Sequence, residues 1–115
     1  PAAGRAIAAT LATLPKRDTH IICGMLNTKD VTGFLAPIAA HCASLTTVTI
    51  PNEINAVSSA DLAEVGRSCA IPSREASDVH AALQDLSQSH PQARILICGS
   101  LYLAGHVLRE NDAAP

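Results

Sequence analysis

The chain has 115 residues, a formal net charge of −2, and 48% apolar but only 2% aromatic residues, which is one domain's worth with an aliphatic core. No basic run supplies the electrostatic footprint of a nucleic-acid binder. No stretch approaches the roughly 18 apolar residues of a membrane span. Neither nucleic acid nor membrane is therefore expected as a partner, and the first residues do not read as a secretory signal.

Residues 2–14 (AAGRAIAATLATL) place Ile7, Leu11 and Leu14 on one helical face, and Pro15 ends the run. Pro1, just ahead of them, suits the first turn of that helix. THIICGM (19–25) suits a short buried strand closed by Gly24. Thr28 is the expected N-cap of a helix over 29–43, with Val31, Leu35, Ile38 and Cys42 as its stripe and Pro37 bending or interrupting it. LTTVTI (45–50) is β-branched and reads as a strand stopped by Pro51; residues 51–57 form a loop. Ser58 and Asp61 resemble a capping box that opens a helix to about Ser68, with Leu62, Val65 and Cys69 inward. AIP (70–72) reads as a very short strand. Residues 74–89 form the best amphipathic helix, with Val79, Leu83 and Leu86 inward. ARILICG (93–99) is the strongest strand, its continuous apolar run indicating burial on both faces, and residues 100–110 read as a last helix carrying Leu101, Ala104 and Leu108.

This alternation predicts an α/β, three-layer, Rossmann-like domain with a mostly parallel sheet. It opens on a helix rather than a strand, so a first strand is expected to be missing from it.

Open α/β sheets bind ligands beyond the carboxyl ends of their strands. The expected cleft-facing candidates are accordingly Lys29 and Asp30 after the first strand, Asn55 after the second, and Ser100 and Tyr102 after the strongest. Each has a plainer reading. Lys29 and Asp30 can be a charged first helical turn, and Asn52, Glu53 and Asn55 a solvated loop. Ser100 can be a helix cap, and Tyr102 a packing residue. Neither GxxxxGK[ST] nor GxGxxG occurs, so no triphosphate cradle is present. The cysteines Cys23, Cys42, Cys69 and Cys98 never form CxxC and read as buried, inert thiols in a reducing, cytoplasmic compartment. His20, His41, His80, His90 and His106 are scattered and read as surface residues. No metal ligand set and no catalytic residue is assigned.

Four segments carry a family resemblance. ILICGSLYLAGHVLREN (95–111) resembles the C-terminal end of the bacterial folylpolyglutamate synthase/dihydrofolate synthase family, part of the Mur ligase superfamily. GMLNTKD (24–30) is similar to that family's GM…KD element after the preceding strand, PAAGRAIAATLATLP (1–15) to the helix after its DGAHNP sequence, and PNEINAVSSADLAE (51–64) to a family loop. His106 stands where Glu is frequent, and Asn55 where Arg is common, so no Arg contact carries over. The resemblance implies a single C-terminal domain belonging to a larger two-domain ligase, inactive alone. In that enzyme ATP phosphorylates a carboxylate of dihydropteroate or a folate, and L-glutamate attacks the acyl phosphate. Pro1 would be the proline that closes DGAHNP, so the main ATP-binding motifs are expected upstream of Pro1. ATP and Mg²⁺ are then held mainly by an N-terminal P-loop domain, the chief partner of this chain, and this chain is expected to bind neither by itself. Two alternatives stand beside this: another Mur-type amide ligase, or a non-enzymatic α/β binding module such as a receiver domain.

Overall fold

The computed structural model describes residues 2–99 and the backbone of residues 106–107. In chain order the elements are α1 (Ala2–Thr13), β1 (Thr19–Gly24), α2 (Val31–Ile38) continued by a 3-10 turn (Ala39–His41), β2 (Ser44–Thr47), α3 (Ser59–Ser68), β3 (Ser73–Glu75), α4 (Val79–Ser89), β4 (Arg94–Gly99) and β5 (His106–Val107). They form one sheet in the order β3-β2-β1-β4-β5. The first four strands of that order pair in parallel and β5 runs antiparallel to β4.

β1 lies at the centre and is buried along its whole length. Its alternate residues feed two separate cores, as the two-residue period of a strand requires. Ile21 and Cys23 join Phe34, Leu35, Ile38, Leu45, Leu62, Ile71, Leu96 and Cys98 under α2 and α3. Ile22 joins Val48, Ile95 and Ile97 under Ala82 and Leu86 of α4. α1 packs on α2 through Gly4, where a β-carbon would overlap the Phe34 carbonyl. The architecture is the three-layer, mostly parallel α/β fold expected.

Several elements differ from expectation in their details. Helix α1 is described from Ala2; Pro1, the residue expected to open its first turn, lies outside the described residues. The cap of α2 is Asp30, whose Oδ1 accepts from the Gly33 N–H at 2.9 Å, so the helix begins two residues later than a Thr28 cap would give. α2 does tolerate Pro37, but the ring removes one donor and the helix tightens into the 3-10 turn directly after Ile38. Leu14 falls just past α1 and stays 37% exposed instead of turning inward. The short strand is Ser73–Glu75, not 70–72, and the fourth helix starts at Val79 rather than 74. Ala70 adopts a left-handed backbone (φ 63°). Ile71 N–H then bonds Gly66 O and Ala70 N–H bonds Arg67 O, a Schellman closure of α3 that drops Ile71 into the core and delays sheet pairing to Ser73. The Ser58 cap forms as expected, accepting from Asp61 N–H.

At the far end, His106 and Val107 pair with Ile97 and Leu96 as a strand, so the expected helix over 100–110 does not hold there. The rest of that helix, with Leu101, Ala104 and Leu108, lies outside the described residues. Of the cysteines, Cys23 and Cys98 are buried while Cys42 and Cys69 are only partly so. His20 is buried rather than a surface residue, at 4% exposure.

Candidate functional site

The carboxyl ends of β1, β2 and β4 meet on one edge of the sheet. β1 and β4 end in register at Gly24 and Gly99. Gly99 has φ 92°, and a β-carbon there would sit 2.6 Å from Gly24 O and 2.9 Å from Met25 Sδ. Both the backbone conformation and the close approach therefore demand glycine.

Beyond Gly24 the chain turns through Asn27 and Thr28, both exposed, into the Asp30 cap. The loop leaving β2 doubles back along this turn. Asn27 N–H donates to Asn55 O at 2.7 Å, Val57 N–H donates to Met25 O at 2.9 Å, and Leu26 bridges Ala56. Asn52 takes a left-handed conformation (φ 62°) to make the reversal, a residue type that tolerates it. Further back, Thr49 Oγ1 accepts from Ser59 N–H and Thr47 Oγ1 donates to Ser59 O, fixing the loop's return into α3.

Two adjacent strand exits are thus joined by backbone hydrogen bonds. They bring the exposed Lys29 and Asp30 into one corner with the exposed Asn55. Asp30 has one carboxylate oxygen committed to its cap, while the Asn55 backbone carbonyl is committed to the bridge. Ser100 and Tyr102 lie outside the described residues, so the structure does not place them.

A cleft of about 550 Å³ opens on the same edge between the end of β2 and the start of α4. Val48, Ile50, Pro51 and Val79 give it apolar walls; Thr49, Ser77, Asp78 and His80 give it polar ones. None of these is among the cleft-facing candidates expected from the sequence. The available signal was Asp78, which caps α4 by accepting from Ala81 N–H at 2.7 Å and precedes the amphipathic run as an N-cap should. A larger groove of about 650 Å³ lies at the opposite, amino-terminal edge, between the end of α1 and Ala40–Ala43. It is remote from the loop corner, and the strand-end geometry favours the smaller cleft.

The chemistry available at the corner is charge and hydrogen bonding, not covalent attack. Cys23 is held as a thiol by its hydrogen bond with Cys98 and by burial. At the opposite edge of the sheet, burial pushes the Cys42 thiol up to about 12. Among the described residues no three His, Cys, Asp or Glu side chains converge as metal ligands, and the phosphate-cradling glycine motifs are missing from the sequence. No helix among them is long and apolar enough to cross a membrane.

A three-layer parallel α/β domain that gathers two exit loops and a cleft at the carboxyl edge belongs to the class that presents ligand-binding loops there. Residues 2–110 match the sequence pattern of the family described as dihydrofolate synthetase, C-terminal domain, and the chain belongs to that family. The fold is shared with folylpolyglutamate synthases of known structure. Mycobacterium tuberculosis folylpolyglutamate synthase complexed with ADP superposes with a TM-score of 0.71 at 22% identity, over 84% of this chain and 25% of that one. The bifunctional folylpolyglutamate synthase/dihydrofolate synthase of Yersinia pestis, complexed with AMPPNP and a Mn ion, gives 0.72 at 25% identity, over 85% and 23%. A further M. tuberculosis structure of the synthase, with ADP and AMPPCP, gives 0.67 at 27% identity. The chain thus spans about a quarter of the length of these structures. No curated protein matches it by sequence.

Proposed function

We propose that this chain is the C-terminal wall of the catalytic cleft in an ATP-dependent ligase that joins L-glutamate to dihydropteroate, to folates, or to both. The family match over residues 2–110 carries the reading. The nucleotide complexes of the similar synthases support it. ATP would phosphorylate the acceptor carboxylate, and the glutamate amine would displace phosphate from the acyl phosphate to form the amide.

Bound Mg²⁺ would offset phosphate charge, and its ligands would come from a companion P-loop domain of the same polypeptide, encoded with the main ATP-binding motifs ahead of Pro1. The work assigned to this chain is different. Its carboxyl-edge loops close one side of the cleft, exclude water from the acyl phosphate, and present a cation at Lys29 beside a carboxylate at Asp30. That pair is suited to orienting a zwitterionic amino acid or an anionic phosphate. Localisation in the cytoplasm, where folates and ATP are available, follows from the same reading.

The direct test is to supply the complete polypeptide with ATP, L-glutamate and either dihydropteroate or tetrahydrofolate, and to follow ADP release and the glutamylated product. Absence of glutamate-dependent ADP release with both acceptors would overturn the proposal. In that enzyme K29A should raise the KM for glutamate or ATP, or lower kcat, by about tenfold or more, the loss of one charge-assisted contact. Asp30 needs a paired comparison because it also caps α2. D30S keeps a capping oxygen and D30A does not, so a kinetic loss common to both reports the cleft, whereas a loss confined to D30A reports the helix.

A further inference from the structure

On the α4 face of the sheet, His20 is 4% exposed. Its Nδ1 lies 2.6 Å from Ser44 Oγ on β2, and its buried Nε2 has no hydrogen-bond partner. The His90 ring, at the residue that closes α4, stacks on it with centroids 4.1 Å apart and planes inclined by 20°. The two rings are therefore a contact between the central strand and the last turn of α4, the one helix that covers this face among the described residues.

The surroundings suit a neutral imidazole. Burial disfavours a charge on His20 and lowers its pKa; the His90 ring and the Arg74 guanidinium on β3 act in the same direction, against Asp18 just before β1. Arg74 is itself paired with Asp85 of α4. The charged residue of the neighbouring β4, Arg94, turns away to Thr19 Oγ1 and Pro15 O. From β2 only the neutral Ser44 reaches the ring.

We propose that the His20–His90 stack is an acid-sensitive latch that holds the C-terminal end of α4 on the sheet. While His20 is neutral the rings stack. A proton on His20 places a buried cation against His90 and Arg74, and the last turn of α4 lifts. The opposite end of α4 lines the cleft at the carboxyl edge through Asp78, Val79 and His80, so the latch links proton concentration to the shape of that cleft. The sign follows from linkage. The folded-state pKa of His20 lies below its unfolded value of 6.5. The unfolded segment therefore binds the extra proton, and the latch is fully closed above about pH 6.5 and released as pH falls below it.

The test is hydrogen exchange of the backbone amides of residues 80–90 in the complete polypeptide at about pH 7.5 and pH 5.5, corrected for the intrinsic pH dependence of exchange. Protection should fall by up to about tenfold at the lower pH, the largest change one depressed imidazole produces over one unit below its free value. H20N keeps a hydrogen-bonding group for Ser44 but does not titrate, and its protection should be flat across the same interval. An equal fall in H20N overturns the latch, as does unchanged protection in the wild type. If H20N does not fold, H90Q at the exposed helix end carries the test. Loss of the neighbouring ring should raise the His20 midpoint in an NMR titration of its ring protons, and an unmoved midpoint overturns the proposal.

Discussion

Ala70 is the residue on which the register of the β2–β3 edge turns. Its left-handed backbone lets Ile71 N–H and Ala70 N–H reach back to Gly66 and Arg67, so the chain leaves α3 with Ile71 buried at 2% exposure. A β-carbon in that conformation meets its own backbone, a cost of about 1 kcal/mol or more that glycine does not incur. A70G should accordingly raise the unfolding free energy by about 1 kcal/mol, read as a higher urea midpoint at unchanged slope. A fall in the midpoint would mean that the greater freedom of glycine in the unfolded chain outweighs the relief. The same residue explains a misreading of the sequence. Ile71 carries a strand-like apolar signal, yet it is a helix-closing residue, and the strand lies in the polar Ser73–Glu75 that pair with β2. His20 was equally illegible. Its burial depends on His90, seventy residues away, coming to rest above it, and nothing local announces that.

The elements best read in sequence were those whose signals are local. β1 and β4 are continuous apolar runs and appear within one residue of the expected positions. α3 is marked by its cap: Ser58 Oγ accepts from Asp61 N–H at 3.1 Å, and Asp61 lies in the first turn, where a carboxylate suits the helix dipole. S58A should cost about 1 kcal/mol, visible as a lower thermal midpoint, with α3 amides losing the most exchange protection. Asp30 shows the limit of such reading. Thr28 and Asp30 are both good caps in sequence, and the choice falls to the one whose side chain reaches the third amide of the helix. That Lys29 and Asp30 follow β1 and Asn55 follows β2 was legible from the strand signals alone. The hydrogen bonds that join those exits link residues 28 and 32 positions apart, and no sequence period encodes them.

At the scale of the molecule, one strand serves two cores. Ile21 and Ile22, both fully buried, point to opposite faces. The face under α2 and α3 is assembled from several elements, whereas the face under α4 rests on few large side chains, chiefly Ile22, Ile95, Ile97 and Leu86. Truncation at the centre of either face should be severe. I22A should remove about 2–5 kcal/mol of unfolding free energy, because the surrounding side chains cannot close the space left behind. Urea denaturation of the complete polypeptide, followed by a probe in this domain, checks it, and a loss below about 1 kcal/mol would mean that α4 resettles freely on the sheet.

The bridge between Leu26 and Ala56 constrains how this corner can change. Two lips sewn together answer as one body: a residue inserted near Glu53 would tug on the turn that carries Lys29, and a change at Asn27 would shift Asn55. Variation that preserves the corner is therefore confined to side chains along the seam, while the stitches between main chains, indifferent to which side chains they carry, keep the spacing.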